Sequence, residues 1–265
     1  MSPAACYTRR ESLADYLANS DYVSSSQLRR FARHGLLARS AGPGAFDGSA
    51  MGEALHALVL EPEAFETRYL VLKGSAPSNR YVSENEAMRR EWLDAWQWTA
   101  LVKAREAILS CTRAPVAEWL LRGSKELSIY WNDEAGRKWK ARPDCFTEEV
   151  VLDLKTTVDC RPEPFARTRE RLCYDLQAAH YVDAVSRLTG GGRPRFAYVS
   201  VELSSPYAVW VHELSASELE SATGRLREVR TAFLARSTQD ARALPHERSA
   251  QRASEISTTR RSRKA

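Results

Sequence analysis

The chain has 265 residues, 43% of them hydrophobic, which is enough to build one large domain or two small ones around a buried core. It has no run of eighteen apolar residues, and its first twenty residues lack an apolar core region, so neither a membrane span nor a secretory signal is expected. The net charge of +5 is unevenly placed: residues 237–265 hold seven Lys or Arg against Asp240, Glu247 and Glu255, so +4 of it lies there and residues 1–236 are nearly neutral.

In chain order, residues 8–40 read as helical, with an N-cap candidate in Ser24 to Ser26 ahead of "QLRRFARHGLL". The stretch "AGPGAFDGSA" is a loop by its glycines and proline. A helix follows Ser49, where Met51, Ala54, Leu55 and Leu58 stand at i, i+3, i+4 and i+7, and "EPEAF" ends or bends it. Residues 77–83 form a polar loop. Residues 84–122 read as two or three helices carrying Trp92, Trp96, Trp98 and Trp119, of which Trp92, Trp96 and Trp98 suit helix packing better than base stacking.

From Lys125 the period becomes two. "ELSIYW" alternates Leu127, Ile129 and Trp131 against Glu126, Ser128 and Tyr130, "NDEAGR" turns, and "KWKARPDCF" returns, which predicts a hairpin. "VVLDLKTT" is a third strand. One long helix is expected over "EPFARTRERLCYDLQAAHYVDAVSRL", closed by the glycines at 190–192. Two more strands, "RFAYVSVEL" and "AVWVHEL", precede a last helix from about Ser217 to Ala235, opened by the capping-box pattern Ser217-x-x-Glu220. The order implies an α/β fold: a helical part over 1–122, an α/β core with a mixed sheet over 123–236, and a basic, disordered tail over 237–265. That tail either touches nucleic acid or keeps the protein soluble. The five cysteines (Cys6, Cys111, Cys145, Cys160 and Cys173) form no CxxC pair and suit packing residues in a reducing cytoplasm.

The third strand poses a chemical question. Val150, Val151, Leu152 and Leu154 mark it as buried, yet it holds Asp153 and Lys155, whose burial is costly unless they are paired or bind something charged. Residues two apart share a face, so Asp153 and Lys155 point together, away from Leu152 and Leu154. Asp144, nine residues earlier on the return strand, would come beside Asp153 by strand pairing. Two carboxylates that close repel unless a cation separates them, and a hard divalent ion such as Mg²⁺ suits such oxygens. Lys155 would face the same ion, placed to orient a water or to stabilise charge on a phosphorane-like transition state.

The pattern Pro143-Asp144, nine residues on, Asp153-Leu154-Lys155 resembles the PD-(D/E)xK nuclease motif. Three companions accompany it: the apolar strand itself, Gln177 and Tyr181 four apart in "LQAAHY", and His56 in "ALHALVLEP" with Gly52 one turn before it. Together they resemble the RecB-like branch of that superfamily. More closely the chain is similar to the RecE-type exonucleases (exodeoxyribonuclease VIII) of phage and prophage, in "YVSSSQLRRF", "MGEALHALVLEPEAF", "ELSIYWND", "RPD", "LDLKTT" and "YDLQAAHYVDA", over roughly residues 20–235.

The resemblance implies a PD-(D/E)xK fold, a central mixed sheet flanked by helices, and a Mg²⁺-dependent (Mn²⁺-tolerant) 5′-to-3′ exodeoxyribonuclease acting on linear duplex DNA with a free end. Asp144 and Asp153 would bind the metal, with the Leu154 carbonyl as a third ligand. Lys155 would activate or hold the water. His56 would be a further metal ligand or contact the metal's water, and Gln177 and Tyr181 would lie beside the metal, near the scissile strand. Glu126 is the candidate for another acidic partner, with Glu84, Glu86 and Glu91 as alternatives. His56 by itself also reads as a core-edge histidine, and Arg142 as either a phosphate binder or a partner of Glu126. The implied partners are a single-strand annealing protein and further copies of the chain in a ring, in the cytoplasm of a bacterial host. Two other readings stand: a different PD-(D/E)xK endonuclease, or a catalytically silent DNA-binding or scaffold protein. An iron–sulfur nuclease of the same branch is disfavoured, because no cysteine follows Cys173.

Overall fold

A computed structural model describes residues 6–34, 50–72 and 91–236 of the chain. The expected tail, the loop at 77–83, and Glu84 and Glu86 lie outside the described residues, as do most of "AGPGAFDGSA" and the end of the first predicted helical stretch.

The N-terminal stretch is less helical than its sequence predicts. It runs as β1 (Cys6–Arg9), α1 (Leu13–Ala18), β2 (Val23–Ser24) and α2 (Ser25–His34). The strands form because Tyr7 and Val23 find partners far along the chain, a tertiary preference that local pattern does not register. Ser24 does open α2: the Gln27 Oε1 accepts from its N–H at 2.8 Å. Next come α3 (Ala50–Leu60), α4 (Pro62–Arg68) with Pro62 in its first turn, and β3 (Tyr69–Val71). β4 (Glu91–Leu93), α5 (Ala95–Leu109) and α6 (Val116–Arg122) follow, so Trp92 lies on a short strand rather than a helix.

The predicted hairpin forms, but bent. Its strands are β5 (Ser124–Lys125) with β6 (Ser128–Asn132) going out, and β7 (Lys138–Ala141) with β8 (Cys145–Phe146) returning. One register runs through both halves, from Ser124 opposite Phe146 to Asn132 opposite Lys138. Between the halves the ladder breaks at Glu126, whose φ is +48°, and at Arg142–Pro143–Asp144, where proline has no N–H to offer. The outer half therefore joins a four-stranded sheet, β1-β6-β7-β2. The inner half joins a five-stranded sheet with β9 (Val150–Thr157), β10 (Arg195–Glu202) and β11 (Val209–Glu213), in the order β11-β10-β9-β8-β5. β9 and β10 run parallel and the other pairs antiparallel, so the sheet is mixed.

The long helix predicted over 163–188 is two: α7 (Pro162–Arg171) and α8 (Tyr174–Thr189), hinged at Cys173 in the left-handed region (φ +51°). No glycine or proline announces that hinge. It is held instead by Arg29, which donates to the Leu172 carbonyl at 3.0 Å, and by Arg225, which grips Asp175 at 2.7 and 2.9 Å and reaches Cys173 Sγ. Gly190, in the left-handed conformation, ends α8 as expected. The last helix, α9 (residues 216–236), is capped two residues earlier than its sequence pattern suggests: Ser215, not Ser217, is the cap, its Oγ accepting from Glu218 N–H while the Glu218 carboxylate accepts from Ser215 N–H.

The five-stranded sheet separates two apolar clusters. One face sends Val150, Leu152, Leu154, Ala197, Val199 and Val201 against α3, α5 and α6. The other sends Val151, Phe196 and Tyr198 against α8 and α9, with Trp131 and Trp139 of the hairpin completing that side. All five cysteines are free thiols. Among the described residues no helix is long and apolar enough to cross a membrane.

Candidate functional site

The bend in the hairpin assembles the site. Continuing the register through the broken ladder sets Glu126 opposite Asp144, and Glu126 N–H donates to the Asp144 carbonyl at 3.1 Å. Gly123 permits the approach: a Cβ there would collide with Cys145 Sγ and stand 2.7 Å from the Trp119 carbonyl. β8 pairs in turn with β9, Cys145 opposite Leu152, so the next position of that register faces Asp144 to Asp153. Asp144 Oδ2 accepts from the Leu154 N–H at 2.6 Å, where the next ladder bond would lie.

Along β9 the alternation separates two chemistries. Asp153, 0% exposed, and Lys155 face α8, with Lys155 Nζ 2.5 Å from Asp153 Oδ2. Gln177 of α8 donates to Asp153 Oδ1 at 2.9 Å and lies 3.1 Å from the Tyr181 hydroxyl. The ring of Tyr174 lies under Lys155 Nζ, 4.8 Å from ammonium to centroid. Tyr174, Gln177 and Tyr181 stand at i, i+3 and i+7 on one face of α8, and the Cys173 hinge sets that face against β9. Sequence pattern singled out Gln177 and Tyr181 and missed Tyr174. The signal was its spacing, one helical turn before Gln177.

Burial and charge set the protonation here. Burial first, then Asp144, pushes Glu126 up to about 8, against the opposing pull of Arg142. Burial pushes Asp153 up to about 6, with Lys155 pulling it down. Burial lowers Lys155, but the charges of Asp153 and Asp144 outweigh it and its pKa is raised. Lys155 is therefore an ammonium at neutral pH, a group that donates hydrogen bonds and stabilises negative charge.

His56, Glu126 and Asp144 form a group whose donor atoms lie within 4.8 Å of one another. His56 Nε2 lies 2.8 Å from the Leu154 carbonyl, so that nitrogen carries the proton, and Nδ1 is the lone-pair nitrogen in the neutral ring. That Nδ1 faces Asp144 Oδ2 at 3.5 Å. Two lone-pair atoms turned toward each other, beside a second carboxylate, suit a cation between them. Carboxylate oxygens with one imidazole are a donor set for a hard or borderline divalent ion, so the residues fit a metal. The same geometry turns the Leu154 carbonyl toward His56.

His56, Glu126, Asp144, Asp153, Leu154, Lys155, Gln177 and Tyr181 come together. Glu91 is engaged elsewhere, its carboxylate held by Arg68 at 2.7 Å. Arg142 pairs with Glu126 at 2.6 Å, which selects one of its two readings. Of the tryptophans, Trp98 packs on Phe65, while Trp96 is 63% exposed.

Residues 24–242 match the family described as PDDEXK-like domain of unknown function (DUF3799). Among solved structures, the chain is similar to a Eubacterium rectale protein described as a putative exonuclease, at 15% identity and a TM-score of 0.57, over 84% of this chain and 86% of that one. At that identity the likeness concerns the fold. A search of curated proteins gives no match.

Proposed function

The chain belongs to the PDDEXK-like family, and from that premise we propose that it is a divalent-metal-dependent deoxyribonuclease, acting as a 5′-to-3′ exonuclease on linear duplex DNA. The observation that supports it most is the buried Asp153–Lys155 pair on β9, set beside the His56–Glu126–Asp144 group. A structural ion pair needs no such neighbour; a metal-dependent phosphodiesterase does.

Asp144, Glu126 and His56, with Asp153 beside them, would hold Mg²⁺, with Mn²⁺ as a substitute. Bound there, the ion would supply Lewis acidity toward the phosphate and an acidified water. Lys155, as an ammonium, would hold that water and offset charge on the phosphorane-like transition state. Gln177 fixes the Asp153 carboxylate from behind, and Tyr181 anchors Gln177. His56 aligns with the Leu154 backbone through its Nε2–H, which leaves Nδ1 for the ion.

The polarity, the single-strand annealing partner, a ring of subunits and the reading of 1–236 as one nuclease domain rest on the RecE-type resemblance. A D-x-K site requires no free end, so end dependence must come from how the duplex reaches it. The test is a time course with equal masses of end-labelled linear and closed circular plasmid, with and without Mg²⁺. Degradation of the linear form from its 5′ ends, with closed circles almost untouched, is expected. Comparable digestion of the circle would replace the exonuclease with an endonuclease, and no metal-dependent cleavage of either would leave a silent DNA-binding protein.

A further inference from the structure

Glu126 is the least conventional member of the donor group. It lies in a broken ladder, its backbone is in the left-handed region, and its side chain is held by a cation outside the D-x-K strand. That cation, Arg142, is 5% exposed. Its Nε donates to Glu126 Oε2 at 2.6 Å, and its Nη1 donates to the Glu11 carbonyl at 2.9 Å and to Ser128 Oγ at 3.3 Å. Its Nη2 lies 3.6 Å from Glu61 Oε1. These four partners come from four segments: the approach to α1, the bend in the hairpin, the start of β6, and the end of the helix that carries His56. A guanidinium is planar and its donors are fixed relative to one another, so contacts in several directions leave it one orientation.

We propose that Arg142 is a positioning residue for the metal group: it occupies one oxygen of Glu126 and thereby presents the other, in one rotamer, to an ion shared with His56 and Asp144. The inference rests on the metal-dependent reading above and deepens it. A glutamate side chain has three rotatable bonds, and at a broken ladder nothing in the backbone fixes them. Its neighbour Asp144 repels it. Without a fixed counter-charge the carboxylate would turn away from Asp144, and the three donors would no longer share a centre. Arg142 supplies that counter-charge from the far side. It also links the group to His56, because Glu61 lies five residues beyond His56 where α3 gives way to α4. Arg142 is two residues before Asp144, so the Arg-Pro-Asp segment delivers both a ligand and the brace of a second ligand. Proline between them fixes the turn.

The experiment is Mn²⁺ binding to the full-length protein, followed by titration calorimetry and by the electron paramagnetic resonance of free Mn²⁺, with no DNA present. The variants are Arg142→Gln, Arg142→Lys, Glu126→Gln, the double variant Arg142→Gln/Glu126→Gln and, as a fallback, Arg142→Lys/Glu126→Gln, each checked for fold by circular dichroism. Outer contacts of this kind change metal affinity by about 10- to 100-fold. Arg142→Gln is expected to weaken Mn²⁺ binding by at least about tenfold, Arg142→Lys by less, because it keeps the charge and loses the fork. The double variant should bind no more weakly than Glu126→Gln alone, since Arg142 acts through Glu126. If Arg142→Gln does not fold, the comparison of Arg142→Lys with and without Glu126→Gln decides by the same non-additivity. Wild-type affinity in Arg142→Gln, or fully additive losses in the double variant, would overturn the proposal while leaving the metal site intact. No Mn²⁺ binding by the wild type would overturn both this proposal and the metal-dependent function.

Discussion

Both faces of β9 are largely shut off from solvent and do opposite things. Leu152 and Leu154, each 1% exposed, pack against α3, α5 and α6, where removing apolar surface from water favours folding. Asp153 and Lys155, one residue out of phase, are shut between the sheet and α8, where the same burial penalises both charges. One face of the strand stabilises the fold, and the other stores an electrostatic cost that the fold must carry. Costs of that kind gather where chemistry is done, because a charge held out of water is free to act on a substrate.

Breaking the polar face should have the largest effect. Asp153→Asn removes the ion-pair partner of Lys155 and a carboxylate beside the metal group. Cleavage in Mg²⁺ should fall by about 10³-fold or more, measured as initial rate on end-labelled duplex. Relief of repulsion between Asp144 and Asp153 would by itself leave stability untouched or improved. The 2.5 Å contact to Lys155 reverses that expectation: orphaning a buried ammonium costs on the order of 3–5 kcal/mol. A denaturant midpoint equal to wild type would show that Lys155 does not depend on Asp153.

The apolar face should respond in stability alone. Leu152→Ala leaves a cavity between the sheet and the helices behind it, at a cost of about 2–5 kcal/mol. Cleavage per folded molecule should remain within about threefold of wild type, measured below the lowered melting point. Equal losses of rate from Leu152→Ala and Asp153→Asn would erase the distinction between the faces.

pH sharpens the comparison further. Glu126, ordinarily near 4.5, sits at about 8 in the fold, and Asp153, ordinarily near 3.8, at about 6. Both folded-state values are raised, so the folded protein holds more protons than the unfolded chain between the two sets of values. The favourable contribution of the protonated forms is present below about pH 4 and is lost as pH rises through 6 and then 8. Burial holds His180 at about 3 and His212 at about 4, and these buried neutral rings pull stability the other way as pH rises toward 6.5. The discriminating quantity is therefore the melting temperature of metal-free wild type minus that of Glu126→Gln, which should fall from pH 5 to pH 8 by calorimetry. A difference that stays flat over this range would contradict the assigned environment of Glu126. Tyr181→Phe is the mildest probe: it deletes a hydroxyl bonded to Gln177, worth about 0.5–1.5 kcal/mol, and should slow cleavage only severalfold. A null effect on rate would make Tyr181 a packing residue.

By itself the sequence determined the elements whose signals are local and periodic. β9 was legible from its apolar run, α3 from its i, i+3, i+4 pattern, the hairpin from its alternation and turn, and the end of α8 from Gly190. The grouping of Asp144, Asp153, Lys155, His56, Gln177 and Tyr181 into one site came from the resemblance to RecB-like nucleases that these residues carry in combination. Tertiary structure alone decided the rest. The hairpin's division between two sheets, the break at Cys173, the strands β1 and β2, the inclusion of Tyr174 and the grip of Arg142 on Glu126 rather than on phosphate all depend on partners distant in the chain. Arg29 and Leu172, which meet at the hinge, are 143 residues apart. Period and propensity describe a residue's neighbours along the chain, whereas a buried charge takes its role from whichever opposite charge the fold brings to it.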